Sequence, residues 1–143
     1  MSNKKIVLII SLIFIVVVGP VILLSNFGLG VVQSFVDKNP KGEAAPWVQF
    51  TLGKVYYYTL RPEKAAEAFK LYTDRYSENK DRRYWDARYY RALSMDESHR
   101  TREAAQLFED YYYTCPQDDP NRNEVKKECL RLRHHIPTFA PYD

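Results

Sequence analysis

Two stretches of this chain share one pattern of alanine and aromatic residues at a separation of 39 positions. They read EKAAEAFKLYTDRYS from residue 63 to 77 and REAAQLFEDYYYTCP from residue 102 to 116. The matched pairs are Ala65 with Ala104, Ala66 with Ala105, Phe69 with Phe108, and Tyr72 with Tyr111. Because the apolar positions fall at helical spacing, each stretch is predicted to form a helix with one buried stripe. Self-similarity at a fixed period of this length indicates stacked helical repeats.

Another helix is predicted before each repeated stretch. The first covers residues 45–60 and ends before Arg61 and Pro62, and proline suits the first turn of the helix that follows. The second covers residues 82–97 and is followed by Ser98 and Thr101, whose side chains suit a helix start. A last helix is predicted over residues 121–135. Its expected inner face is formed by Val125, Cys129, Leu132 and Ile136.

This helix–turn–helix order resembles the tetratricopeptide repeat (TPR) family over residues 46–116. The first copy matches the family's signature at Leu52, Gly53, Tyr56, Ala65 and Phe69, and the second at Ala92, Ala104, Phe108 and Pro116. Three positions depart from the signature: Ser77 replaces the closing proline, Arg91 a leucine, and Met95 a tyrosine. The period of 39 residues exceeds the usual 34, which predicts a longer connection near residues 77–85. The resemblance implies an α-solenoid of two TPR-like hairpins, with a C-terminal capping helix after them. Together with the N-terminal transmembrane helix predicted below from residues 6–24, the expected fold class is all-α.

The resemblance also implies a partner-binding groove lined by the first helix of each hairpin. Carried over position by position, the groove residues are Trp47, Phe50, Lys54, Tyr57, Tyr58, Asp86, Tyr89, Leu93, Asp96 and Glu97. These positions pair an aromatic wall with an acidic one. Rigid aromatic residues of this kind are enriched at binding hot spots.

The two runs of three tyrosines are predicted to lie on different helices of the repeat. Tyr56 to Tyr58 end a first helix, whereas Tyr111 to Tyr113 end a second helix. They are therefore not copies of one motif. We expect Tyr56 and Tyr111 in the core, Tyr112 against the capping helix, and Tyr113 half-exposed.

Residues 6–24, IVLIISLIFIVVVGPVILL, carry no charge and are predicted to be a membrane anchor. At about 1.5 Å per residue these positions reach roughly across a hydrocarbon core. The alternative is a cleaved signal peptide, but its apolar region would be shorter and a small-x-small cleavage site would follow. Lys4 and Lys5 before the run favour a cytoplasmic N-terminus. The predicted location is the inner (cytoplasmic) membrane, single-pass, with the repeat domain periplasmic or otherwise extracytoplasmic.

These observations predict four parts of the chain. They are a membrane anchor helix over residues 1–36, a linker over 37–45, a TPR-like domain with its capping helix over 46–136, and an extended tail over 137–143. The linker prediction depends on the polar stretch DKNPKGEAAP, which holds two prolines and a glycine.

Charge and motifs narrow the classes of function. Beyond Lys5 the chain holds 19 basic and 18 acidic residues, and a nucleic-acid partner would usually need a larger basic excess. No phosphate-binding glycine loop or nucleophile–base pair is recognisable, so we expect no catalytic residues, no cofactor, no small-molecule substrate and no enzyme activity. His134 and His135 are adjacent and point about 100° apart on a helix, which does not suit a metal site.

The two cysteines allow one covalent prediction. Cys115 ends the second repeated helix, and Cys129 lies on the expected inner face of the capping helix. If these helices are antiparallel neighbours, a disulfide can join them in an oxidising compartment. The alternative is two buried thiols that pack as small apolar residues.

The sequence therefore predicts a membrane-anchored interaction or scaffold subunit of a larger membrane or cell-envelope complex. Its partners would be other protein subunits, which the repeats bind, and residues 6–24 would anchor the chain in the membrane. The alternative is a periplasmic adaptor in envelope biogenesis that binds its partners transiently.

Overall fold

The computed structural model describes residues 24–78 and 80–135. Within these ranges the chain forms six α-helices and no strand, so the all-α prediction is confirmed there. The helices are α1 (Asn26–Lys38), α2 (Ala45–Tyr58), α3 (Pro62–Arg75), α4 (Arg82–Glu97), α5 (Thr101–Thr114) and α6 (Arg122–Arg131), with a 3-10 turn at Arg133–His135. The chain divides into two compact units, Met1–Asn39 and Pro40–Asp143. Helix α1 belongs to the first unit, and α2 to α6 belong to the second.

Helix α1 begins at a side-chain cap. The Ser25 hydroxyl accepts a hydrogen bond of 3.2 Å from the Gly28 amide, which satisfies a donor that the helix start leaves open. Phe27, Val31 and Phe35, four residues apart, form an exposed apolar line along one face of the helix.

No helix within the described residues is both long and apolar enough to cross a membrane. The span predicted for residues 6–24 lies outside the described residues except for Leu24. The anchor and its orientation stay predictions.

Consecutive helices of the second unit pack against one another from α2 to α6, and α2 also contacts α4. Helices α2 and α3 form one hairpin, and α4 and α5 form the next. Helix α6 packs against α5, where Val125, Cys129 and Leu132 are buried as predicted. The fourth residue of that expected inner face, Ile136, lies outside the described residues.

The turn inside each hairpin has the same hydrogen bonds at a separation of 39 residues. In the first turn the Leu60 amide donates to the Tyr57 carbonyl and the Arg61 amide to the Tyr56 carbonyl. In the second, the amides of His99 and Arg100 donate to the carbonyls of Asp96 and Met95. This pair of bonds is a Schellman motif, which satisfies the last carbonyls of a helix. The 39-residue period of the sequence is therefore also found in the backbone hydrogen bonds of the turns.

Both turns place a residue other than glycine in the left-handed region. Leu60 has φ 57° and His99 has φ 61°. A side chain costs roughly 1–2 kcal/mol in this conformation, and glycine is the usual residue there.

We therefore expect Leu60→Gly to stabilise the fold by about 0.5–1 kcal/mol, because the left-handed strain is relieved and the Leu60 side chain, 84% exposed, loses little packing. Thermal unfolding followed by circular dichroism measures the change. Glu67→Gly, at an exposed position inside α3, is the matched control and should cost about 1 kcal/mol. Equal destabilisation by both changes would contradict the account of the turn.

Helices α2 and α3 approach closely at Gly53. A Cβ atom there would lie 2.7 Å from Phe69 Cε1, well inside van der Waals contact. The Phe69 ring is fully buried and also lies between Phe50, at 5.8 Å between centroids, and Tyr90, at 5.7 Å. Glycine is thus required at position 53 because the aromatic ring of the partner helix occupies the space.

The second hairpin and α6 share a continuous core. Phe108, Tyr111, Val125 and Cys129 are fully buried in it, and Trp85 is 6% exposed. The Tyr111 hydroxyl donates to Asp119 Oδ1 at 2.7 Å and so ties this core to the loop before α6.

One polar side chain lies inside the first hairpin. Gln49 of α2 is completely buried, and its Nε2 donates to the Ala68 carbonyl of α3 at 3.1 Å. Its Oε1 accepts from Arg75 Nη1 at 3.4 Å. Buried polar groups need such partners, so Gln49 links α2 to α3 by its side chain.

Candidate interaction site

The first helices of the two hairpins meet around a lysine enclosed by tyrosines. Lys54 Nζ of α2 lies 3.6 Å from the centroid of the Tyr90 ring of α4 and 5.1 Å from that of Tyr58. The Tyr57 ring lies 5.2 Å from Tyr90 and 5.4 Å from Tyr58, both edge to face. We call Lys54, Tyr57, Tyr58 and Tyr90 the tyrosine cluster. Cation–π and edge-to-face contacts of this kind fix side chains in place before any partner binds.

Helical spacing explains the α2 part of the tyrosine cluster. Lys54, Tyr57 and Tyr58 are three and four residues apart and therefore share one side of the helix. Leu52 and Tyr56 lie on the other side and are buried. The same helix thus supplies the core and presents an aromatic surface.

Burial and neighbouring polar side chains shift the pKa values of two tyrosines in the cluster. Burial raises the pKa of Tyr57, and a hydrogen bond to the Glu97 side chain of α4 raises it further. Hydrogen bonds from Tyr90 and then from Lys54 lower the pKa of Tyr58. Glu97 and Tyr90 thus place polar groups of α4 beside the tyrosines of α2.

The α2 residues predicted for the groove divide into exposed and packed groups. Trp47 and Tyr58 are 59% and 66% exposed. Lys54 and Tyr57 are half-buried within the tyrosine cluster. Phe50 points into the hairpin instead, with its ring 5.8 Å from Phe69 and 5.6 Å from Tyr72. Trp47 and Tyr58 are consequently the aromatic residues of α2 that a partner could reach.

Two of the predicted α4 groove residues are half-buried and pack toward the core. The Tyr89 ring lies 6.4 Å from both Phe108 and Tyr111. Burial is the main cause that raises the pKa of Tyr89. Leu93 packs against the same core.

Two of the three acidic residues predicted for the groove are held by bonds within the chain, whereas the third, Glu97, is exposed. Asp86 accepts from Arg82 Nε at 3.2 Å and from Asn121 Nδ2 at 2.9 Å. Asp96 accepts from Arg131 Nη2 at 2.5 Å. Because these carboxylates already have partners, they offer less charge to a ligand than the sequence indicates.

Tyr90 is the member of the tyrosine cluster that the sequence analysis missed. Transfer of positions from the repeat family selected its neighbour Tyr89 instead. A usable signal was present, since Tyr90, Leu93 and Glu97 fall at helical spacing on one side of α4. That side faces α2, as the Tyr57–Tyr90 contact shows.

The second tyrosine run, Tyr111 to Tyr113, is buried and exposed as the sequence predicts. Tyr111 and Tyr112 are buried, whereas Tyr113 is 56% exposed. Tyr112 also lies under the Arg122 guanidinium of α6, with 4.4 Å from its carbon to the ring centroid. Tyr113 contacts Tyr112 edge to face at 5.4 Å, which closely reproduces the Tyr57–Tyr58 pair on another helix.

The two cysteines are free, buried thiols in this structure. Cys115 Sγ accepts from Arg122 Nη1 at 3.2 Å, and its thiol donates to the Tyr112 carbonyl at 3.8 Å. Cys129 is fully buried in the core around α6. The disulfide predicted between them is not formed here and stays a prediction for the protein in its own compartment.

In residues 24–78 and 80–135, no three histidine, cysteine, aspartate or glutamate side chains are grouped to hold a metal ion. No protein-family model matches the chain, and no curated protein matches it.

Proposed function

We propose that this chain is a membrane-anchored interaction subunit of the tetratricopeptide-repeat type. It would use the apolar run at residues 6–24 as an anchor and the first helices of its hairpins to hold a partner protein. The location proposed is the inner membrane, with the repeat domain outside the cytoplasm. The proposal assigns no catalytic step to the chain.

The observation that carries the proposal is the exposure of two aromatic side chains on α2, Trp47 and the cluster member Tyr58. Large aromatic side chains held by a rigid base supply contact area with little loss of conformational entropy on binding. Lys54 adds a positive charge next to Tyr58. A partner that presents apolar groups beside an acidic one would complement this surface.

We expect Tyr58→Ala to reduce partner retention by about tenfold or more, since truncation of a central aromatic hot spot costs roughly 2 kcal/mol. The measurement is affinity purification of the tagged full chain in mild detergent, with quantitative mass spectrometry of the retained proteins. A partner retained in fixed stoichiometry favours a permanent subunit, whereas substoichiometric retention favours a transient adaptor.

Tyr113→Ala is the matched control for this experiment. Tyr113 also ends a run of three tyrosines, has similar exposure and makes a similar edge-to-face contact, but it lies on α5. Equal loss of the partner in both variants, at equal helix content, would contradict the assignment of the first helices as the binding surface.

A further inference from the structure

A groove of about 550 Å³ lies away from the tyrosine cluster and shares no residue with it. Residues of α3, α4 and α5 line it, together with two from the connection between α3 and α4. Among these residues are two acids, Asp74 and Asp110, and three cations, Lys80, Arg88 and Arg91. The groove is thus polar and charged.

Most of these charged groups already have partners. Arg88 Nη2 is paired with Asp110, and its Nη1 donates to Thr114 Oγ1 at 2.8 Å. The Arg88 guanidinium also lies 5.0 Å from the centroid of the Trp85 ring. Asp74 accepts from Lys70 Nζ at 2.8 Å. Arg91 is the arginine of the groove for which these contacts give no partner.

Arg91 makes no hydrogen bond or ion pair within the described residues. Its Nε is buried and unpaired, and the carboxylates of Asp74 and Glu103 favour its charge from beyond ion-pair distance. Two other buried side-chain atoms of the described residues lack partners, Arg61 Nη1 and Ser94 Oγ, but neither of those residues lines the groove. Burial lowers the pKa of Arg91, although an arginine keeps its charge in a protein.

An unpaired, partly buried cation is costly for a fold. A buried donor without an acceptor costs about 1–3 kcal/mol, and more when it is charged. A guanidinium presents a planar fork of N–H groups that matches the two oxygens of a carboxylate. Three cations and two aspartates line the groove, which gives a net charge of +1; a monoanionic carboxylate neutralises this charge, whereas a dianionic phosphate exceeds it.

We propose that this groove binds a carboxylate of a polypeptide partner through the Arg91 guanidinium. The site goes beyond the function proposed above, because it lies on other residues and would take a charged group rather than an apolar one. It does not depend on the tyrosine cluster, so either proposal can fail alone.

Nuclear magnetic resonance of the arginine Nε–H group tests the site directly. The sample is the full chain in mild detergent with ¹⁵N-labelled arginine, titrated with acetate at constant ionic strength. The Arg91 signal, assigned by its loss in Arg91→Lys, should shift and saturate with a Kd on the order of millimolar, as suits so small a probe. Phosphate at equal ionic strength should shift it less.

Two capped peptides distinguish the sources of the carboxylate. One is an acetylated alanine–glutamate–alanine amide, and the other is acetylated trialanine with a free C-terminal carboxylate. A stronger response to the first assigns a side chain, and a stronger response to the second assigns a chain end. Either result supports the proposal.

Arg91→Met and Arg88→Met form a matched pair on one helix, three residues apart. Arg91→Met should abolish the response of the other groove resonances to acetate and leave the melting temperature unchanged or raised. Arg88→Met should lower the melting temperature, because it removes the bonds to Asp110 and Thr114. The proposal is overturned if the Arg91 signal ignores acetate or responds more to phosphate. It also fails if Arg91→Met lowers the melting temperature as much as Arg88→Met does.

Discussion

Replacement of Phe69 by alanine is expected to destabilise the repeat domain by about 3–5 kcal/mol, because truncation of a buried aromatic ring leaves a cavity. The ring is fully buried and contacts Phe50 of α2 and Tyr90 of α4. Its loss therefore loosens three helices at once. Domains of this size have a net stability of only about 5–15 kcal/mol, so the change removes a large share of it and should lower the melting temperature by more than roughly 10 °C.

Thermal unfolding of the full chain in mild detergent, followed by circular dichroism, measures this effect. Phe35→Ala serves as the control because this phenylalanine is 67% exposed on α1, and a surface change of this kind alters stability by about 0.5 kcal/mol or less. A Phe69→Ala protein that melts within a few degrees of the parent would show that the ring does not hold α2, α3 and α4 together.

Alkylation of Cys129 is expected to be about a thousandfold slower in the folded protein than in urea at pH 8. Burial raises the pKa of Cys129 to about 12, so its reactive thiolate is scarce at that pH. Because the folded state favours the protonated thiol, Cys129 stabilises the fold fully below its unfolded pKa near 9. That contribution is lost as the pH rises toward 12.

Iodoacetamide labelling with peptide mass mapping gives the rates of Cys115 and Cys129 in the same sample, once for the folded protein and once in urea. Cys115 is the internal comparison: burial raises its pKa too, but the hydrogen bond from Arg122 opposes that shift. We expect Cys115 to react faster than Cys129. Equal labelling of Cys129 with and without urea would contradict its burial, whereas labelling of both cysteines only after reduction would demonstrate the predicted disulfide.

The order of the helices could be predicted because each carries its own periodic apolar stripe. Helices α2 to α5 begin within one residue of the sequence-based limits, and Pro62 and Asp81 mark two of these starts locally. Ala65, Phe69, Ala104 and Phe108 could likewise be assigned to the core, because helical spacing alone brings them to one face. The capping of α5 expected from Ser98 or Thr101 was wrong, because its N-cap is Arg100 and no side chain caps it.

The site was less predictable because its contacts join residues of different helices. Tyr90 meets Lys54 only through the packing of α4 on α2. The acidic wall expected from Asp86 and Asp96 depended on those carboxylates being free, but Asn121 and Arg131, each 35 residues further along the chain, donate hydrogen bonds to them. The burial of Gln49 in the first hairpin could not be predicted either, since no pattern within α2 distinguishes a buried, hydrogen-bonded polar residue from a solvated one.

The two tryptophans differ in exposure, so their intrinsic fluorescence can report on two different events. Trp85 is buried in the core, whereas Trp47 is exposed to solvent on α2. Emission at shorter wavelength should thus come from Trp85 and follow unfolding, whereas emission at longer wavelength should come from Trp47 and change when a partner covers it. Trp47→Phe would leave a single tryptophan in the core, and Trp85→Phe a single tryptophan at the surface, each excited selectively over the tyrosines at long wavelength. Folding and partner binding can then be followed separately without an added dye.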